Sequence, residues 1–142
     1  MSEFLQGHHF QVQWGGARIG FQEISGLRVR VDVVEVHDGS FVDESPIKLP
    51  GRKHFGNITL RRGIVKRDNE FFNWWNTIQF GEVERRDIVI SLLNEEHIPT
   101  LVWKIRNAFP VEIVWSDLRA SQSQIAIESL EIACEGITVS NE

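Results

Sequence analysis

Residues 85–94, RRDIVISLLN, decide the fold. Ile88, Ile90 and Leu92 alternate with Asp87 and Ser91. That period of two places apolar groups on one face of an extended strand and polar groups on the other. Downstream, TLVWKIR (100–106) repeats the pattern with Leu101, Trp103 and Ile105 against Lys104 and Arg106, and PVEIVW (110–115) gives another strand. The segment IAIESLEIACEGITV (125–139) is long and alternates imperfectly, which predicts a strand with a bulge. Upstream, NITLRRG (57–63) has Ile58 and Leu60 inward and Thr59 and Arg61 outward.

Near the N-terminus, Phe10, Val12 and Trp14 alternate with Gln11 and Gln13, and Gly15-Gly16 signals a hairpin turn into a return strand carrying Ile19 and Phe21. After Gly26, Val29, Val31 and Val33 alternate with Arg28, Arg30 and Asp32, then the apolar phase shifts to Val34 and Val36. This shift predicts a β-bulge near Val33. In DNEFFNWWNTIQFG (68–81), Phe71, Trp74, Trp75 and Ile78 fall on one face of a helix, with Asp68 as N-cap, Glu70 at the positive end of the dipole and Gly81 at the exit. The stretch GSFVDESPIKLPGRKHF (39–55) holds Pro46 and Pro50 and loses all periodicity, so it reads as a long loop, a kind of segment that is usually functional or mobile. About eight strands and one helix make an all-β sandwich or barrel with a helical plug, in one domain spanning residues 1–142.

Composition narrows the function. The chain has 142 residues, a net charge of −5 and a pI near 5.5, which argues against a nucleic-acid binder needing a basic face. No apolar run reaches the ~18 residues of a membrane helix. The start, MSEFLQGHHF, lacks the basic and apolar regions of a signal peptide, so synthesis and retention in a cytoplasm are expected. A single cysteine, Cys134, forms neither an internal disulfide nor a cysteine-built zinc site, and its place in the strand beside Leu130 and Ile132 predicts a buried, inert thiol. Tyrosine is absent, yet five Trp and nine Phe must be buried in a core or an interface.

No catalytic constellation is found. His8 and His9 point to opposite sides of a chain end if extended, and His37, His54 and His97 lack metal-ligand spacing. Glu95-Glu96-His97 reads as a polar hairpin tip, Ser25 does not sit in a nucleophile elbow, and Gly15, Gly16 and Gly20 open no helix as a phosphate cradle would. No metal, cofactor or enzyme activity is expected.

Taken in order, IGFQEISGL (19–27), VEVHDG (34–39), LPG (49–51), NITLRRG (57–63), NEFFNWWNTI (69–78), RRDIVISLLN (85–94), WKIRNAFP (103–110) and AIESLEIACEG (126–136) resemble the tail-tube proteins of contractile phages and phage-tail-like injection systems. The resemblance is nearest to inner-tube subunits of extracellular injection systems. It implies a barrel-like sandwich, Hcp-like in type, whose hexameric rings stack into a hollow tube driven through a target envelope when an outer sheath contracts. It implies as partners other copies of the chain, the sheath, the baseplate and spike, tube paralogues and effector cargo in the lumen. Related readings are a tube-initiating ring or an Hcp-like secreted ring; the rival class is a monomeric β-sandwich binding module with an aromatic groove.

The physics suits a tube, because exposed sheet edges pair readily with another chain and vanish when a ring closes. Thr59, Arg61, Asp87, Ser91, Lys104 and Arg106 are expected on the lumen side, and part of the negative charge is expected there, repelling acidic cargo. The 39–55 loop is expected to reach the next ring, through Asp38, Gly39, Phe41, Asp43, Glu44, Ile47, Lys48, Leu49, Pro50, Gly51 and Arg52.

Overall fold

The architecture comes from a computed structural model that describes residues 4–15, 20–37, 39 and 46–141. Among these are nine strands, β1 (Phe10–Gln13), β2 (Glu23–Ser25), β3 (Val29–Val36), β4 (Ile47–Phe55), β5 (Ile58–Gly63), β6 (Arg86–Leu93), β7 (Pro99–Trp115), β8 (Ile127–Ala133) and β9 (Gly136–Asn141), and one helix, α1 (Glu70–Trp75).

The spine is a long antiparallel ribbon. β7 pairs with β9 through its first half and with β8 through its second. Phe109 faces Ala133 and Arg106 faces Gly136, three residues on in each chain, so β8 and β9 act as one strand with a short interruption. This is the single imperfect strand expected at 125–139, with its register shift between Pro110 and Glu112. β6 covers the other edge of the first half of β7, and β1 covers β6. β5 covers the other edge of β8, and β2 covers β5. The inner faces of both halves meet in one core of Ile58, Leu60, Leu130 and Ile132 from one side and Ile88, Ile90 and Ile105 from the other, closed by Trp14, Phe71 and Trp74. Burying each such side chain contributes about 1.5–3 kcal/mol.

Four sequence expectations are corrected. TLVWKIR and PVEIVW are not separate strands but parts of the 17-residue β7, which bends without breaking at Asn107, where φ is 53°. β1 pairs with β6 and β2 with β5, so these two strands are not partners, and Trp14 lies in the core after Gln13; Gly16 and Ile19 of the expected hairpin lie outside the described residues. The helix spans only 70–75; Phe71 and Trp74 are buried as expected, but Trp75 is half-buried and Ile78 is exposed. Its N-cap is Asn69, although the Asp68 carboxylate does accept the Glu70 backbone N–H at 3.1 Å. The helix gives way at Asn76 to tighter turns, with the Thr77 and Ile78 backbone N–H groups donating to the Trp74 and Trp75 carbonyls at 3.1 Å. Gly81 (φ 84°), expected at the exit, stands beyond it with Phe80 (φ 45°) in a turn held by reciprocal 2.8 Å bonds between Gln79 and Glu82.

The fourth correction concerns 39–55. Residues 47–55 are not loop but β4, paired along its length with β3. Ser25 faces Thr59 and Val29 faces Phe55, four residues on in each strand. The β3–β4 pair therefore continues the β2–β5 hairpin beyond the core in the same register. Gly26 (φ 90°) permits the junction, since a Cβ there would lie 2.2 Å from the Asn57 carbonyl oxygen. The bulge predicted near Val33 lies between Val31 and Val33, where Asp32 faces Gly51 and Arg52.

Candidate functional site: the assembly surfaces

Three surfaces follow from this topology. The first is the outer face of β1, β6, the first half of β7, and β9. Registers align its residues in rows: Gln13, Val89, Lys104 and Thr138 in one, Gln11, Ser91, Val102 and Ser140 in the next. Asp87 and Arg106 sit at the end of the face, beside the bend of β7. The core-side rows between them carry Val12, Ile90, Trp103 and Val139.

The expected lumen residues divide between two faces. Asp87, Ser91, Lys104 and Arg106 share the face just described, whereas Thr59 and Arg61 lie on the outer face of β2, β5 and β8. Because both halves turn their inner faces to the same core, their outer faces point away from each other. Thr59 stands opposite Glu131, and Arg61 donates to the Glu23 carboxylate at 3.2 Å. Ser91 is already buried in the isolated subunit, flanked by Gln11 and Val102 on the neighbouring strands. Alternation identified the outward side of each strand but not which sheet half the strand joins.

The second surface is the pair of borders of the same sheet that no further strand covers among the described residues. Its strand order is β1, β6, β7, β9, so β1 and β9 are unlike edges. Each successive pair is antiparallel, which leaves β1 and β9 running in opposite directions.

The third surface is the projecting hairpin. Val34 lies opposite Leu49 and Val36 opposite Ile47, and these four aliphatics are 41–48 % exposed. Ile47 and Leu49 were read from the sequence as anchors; Val34 and Val36 were not, because only the pairing places them beside those two. Lys48 faces Glu35, Pro50 faces Val33, and Gly51 and Arg52 form the bulge. Gly39 is in a turn; Asp38, Phe41, Asp43 and Glu44 lie outside the described residues. Closer to the body, Asp32 accepts from Arg30 Nη1 at 3.0 Å and meets His54 Nε2 at 2.7 Å. The His54 hydrogen bond, the largest influence, and the nearby positive charges hold the Asp32 carboxyl below its ordinary 3.8, against a smaller opposing effect of burial.

Other candidate chemistry resolves plainly. His8 and His9 do not diverge as an extended chain would require: a turn precedes β1, their rings lie 4.6 Å apart, and His9 lies 5.0 Å from the ring of His97. Among the described residues no group of three or more His, Cys, Asp or Glu could hold a metal ion. No helix there is long and apolar enough to cross a membrane. Cys134 packs against the core, and burial pushes its thiol up from the ordinary value. A depression of about 920 Å³ along 116–127 is lined by Leu118, Ile125 and polar side chains.

Comparison with known proteins gives the family. The family described as T4-like virus tail tube protein gp19 matches residues 6–138. Among curated proteins there is no match. Among solved structures, a chain in the PVC extracellular contractile injection system, sheath-tube complex in the extended state, is 30 % identical, with 99 % of this chain and 93 % of that one covered and a TM-score of 0.90. A chain from the anti-feeding prophage tube-terminating cap is 29 % identical, covering 100 % and 94 %, with a TM-score of 0.91. Hcp1 from Flavobacterium johnsoniae shares the fold at 16 % identity, covering 98 % and 97 %, with a TM-score of 0.58.

Proposed function

We propose a role from one premise, that the chain belongs to the T4-like virus tail tube protein gp19 family. The family is structural, and the chain is not an enzyme. It acts as a subunit of the rigid inner tube of a contractile injection system or phage tail. Copies form hexameric rings, the rings stack into a hollow tube, and contraction of a surrounding sheath drives that tube through a target envelope.

The observation that carries this reading is the pair of unlike free edges on one sheet. β9 of one copy and β1 of the next run in opposite directions, so their pairing is antiparallel, the stronger ladder. A head-to-tail contact of this kind closes into a ring and removes both exposed edges. Each copy then adds four strands to a continuous inner wall whose outward rows face the bore. That wall includes Asp87, Ser91, Lys104 and Arg106, and leaves Thr59 and Arg61 on the tube's exterior.

The hairpin of β3 and β4 supplies contact between rings. A two-stranded ribbon that leaves the core is marginal by itself. Covering Val34, Val36, Ile47 and Leu49 against a neighbouring ring removes their exposed area from water, at about 1 kcal/mol for each half-exposed aliphatic. Sheath, baseplate and tube paralogues are the outer partners. A cap or initiating ring would use the same edges but stack on one side only.

Electron microscopy of the concentrated protein tests the reading. Rings piled into tubes are expected, single rings that never pile identify a cap or initiator, and monomers at every concentration and salt overturn it.

A further inference from the structure

We infer that the bore of the tube accepts acidic polypeptide cargo and repels basic cargo, an inference that rests on the tube reading above. Among the described residues, the outward face of the β1, β6, β7, β9 sheet carries one carboxylate, Asp87, and two cations, Lys104 and Arg106, in a chain whose net charge is −5. Cations thus outnumber carboxylates on the described part of this face, and the inference runs opposite to the expectation that part of the negative charge lines the bore.

The three charges differ in what holds them. Asp87 Oδ1 accepts the Asn107 backbone N–H at 2.9 Å, which commits that carboxylate to the bend of β7. Arg106 Nη2 donates to the Glu135 backbone carbonyl oxygen at 3.3 Å, so its guanidinium keeps its full charge. Lys104 has no carboxylate within ion-pair distance among the described residues and is exposed. The nearby Arg85–Glu135 pair, at 3.4 Å, adds no net charge.

The rest of the face mixes amides and hydroxyls, from Gln11, Gln13, Thr138 and Ser140, with the half-buried Val89 and Val102, and Ser91 is buried between its neighbours. The amides and hydroxyls offer weak, exchangeable hydrogen bonds to any polypeptide. Ring symmetry repeats Lys104 and Arg106 around every ring, and a cylinder with protein walls focuses their field on its axis. Carboxylates passing along it are attracted without a fixed docking geometry, which suits cargo that must later leave.

The test uses assembled tubes and two short peptides bearing an uncharged dye, one a Glu-Gly-Ser repeat and the other a Lys-Gly-Ser repeat. Tubes are pelleted at low salt, about 20 mM, where the Debye length spans the bore wall. Wild-type tubes are expected to carry down the Glu peptide. Lys104→Gln with Arg106→Gln should lower that amount at least about threefold, while Lys53→Gln on the exposed hairpin should not. Lys104→Gln alone, which leaves the Arg106–Glu135 bond in place, serves if the double variant does not assemble. Equal retention of the Glu peptide by wild-type and variant tubes overturns the inference. Micrographs of the same samples separate the two readings: tubes without charge selection defeat this inference alone, and absence of rings and tubes in the wild type defeats the tube reading beneath it.

Discussion

The backbone N–H of Asn107 donates to Asp87 Oδ1 at 2.9 Å, while Asn107 itself stands in the left-handed region at φ 53°. Its side-chain amide donates to Glu135 Oε2 at 2.8 Å, so one residue ties β6, the bend of β7 and the break between β8 and β9. Asparagine is among the few side chains that occupy this backbone region readily, and a β-branched residue is strained there by about 1–3 kcal/mol. Asn107→Val should lower the unfolding free energy by that amount plus the lost amide bond, seen as a lower urea midpoint. Asn107→Gly should lose only the latter, and equal midpoints for the two variants would remove the backbone argument.

Arg62 is the second point at which the fold depends on a polar contact. It is 1 % exposed, and Nε donates to Glu128 at 2.8 Å while Nη2 and Nη1 reach Asp68 at 3.0 and 3.2 Å. The guanidinium lies 4.0 Å from the centroid of the Phe71 ring. Arg62→Met leaves two nearly buried carboxylates without their cation, a loss of about 3–5 kcal/mol. Adding Asp68→Asn and Glu128→Gln should restore much of the stability, because the unpaired charges, not the missing bonds, dominate the loss. Failure of the triple variant to exceed Arg62→Met in chemical denaturation would contradict this.

These two clusters also show what the sequence could convey. Alternation arises from one-sided burial, so strands flanking the core, such as 57–63 and 85–94, were legible. β4 was not, because both faces of the hairpin are exposed and no burial pattern constrains its side chains; its Pro50 and Gly51 then resemble loop residues. β7 was read as two strands because Asn107 and Pro110 mark a bend in sequence whether or not the ladder continues through it. Arg62 follows Ile58 and Leu60 on the inward side, yet its partners Asp68 and Glu128 are set by tertiary folding, and Asp68 alone reads as a helix cap. For the assembly surfaces, alternation gave the outward residues of each strand, while the division into two faces needed the strand order.

The hairpin carries a pH dependence of known sign. His54 and Arg30 favour the charged form of Asp32, whose folded pKa lies below its ordinary 3.8. That contribution is present above the ordinary value and is lost as pH falls through the lower folded one. Carboxyl NMR should place the Asp32 midpoint below 3.8 and move it up in His54→Ala, whose hydrogen bond is the leading cause. An unchanged midpoint in that variant would assign the effect elsewhere.

Edge pairing makes a covalent prediction. Gln11 and Ser140 lie in one row at opposite borders of the sheet, and a ring whose ladder carries this row unshifted into the next copy sets the two side by side. With Cys134→Ser as background, Gln11→Cys combined with Ser140→Cys should oxidise to a ladder of covalent oligomers on a non-reducing gel. Either cysteine alone should give no ladder. Monomers only, from a sample that shows rings by microscopy, would mean that the rings close through other strands.

Ring closure and ring stacking should also separate genetically. Val36 and Ile47 face each other on the projecting hairpin, whose two strands form a sheet separate from the one bordered by β1 and β9. Replacing them by Val36→Asp and Ile47→Lys substitutes an opposite-charge cross-strand pair for an apolar one, which maintains the local ladder within about 1 kcal/mol. The patch with Val34 and Leu49 loses half its aliphatics, and two charges must then be desolvated against the neighbouring ring. The double variant should keep the wild-type melting temperature and form rings, but those rings should not pile into tubes. Normal tubes from this variant would show that stacking rests on something other than the hairpin's apolar face, whereas loss of the rings themselves would place the hairpin in the lateral contact.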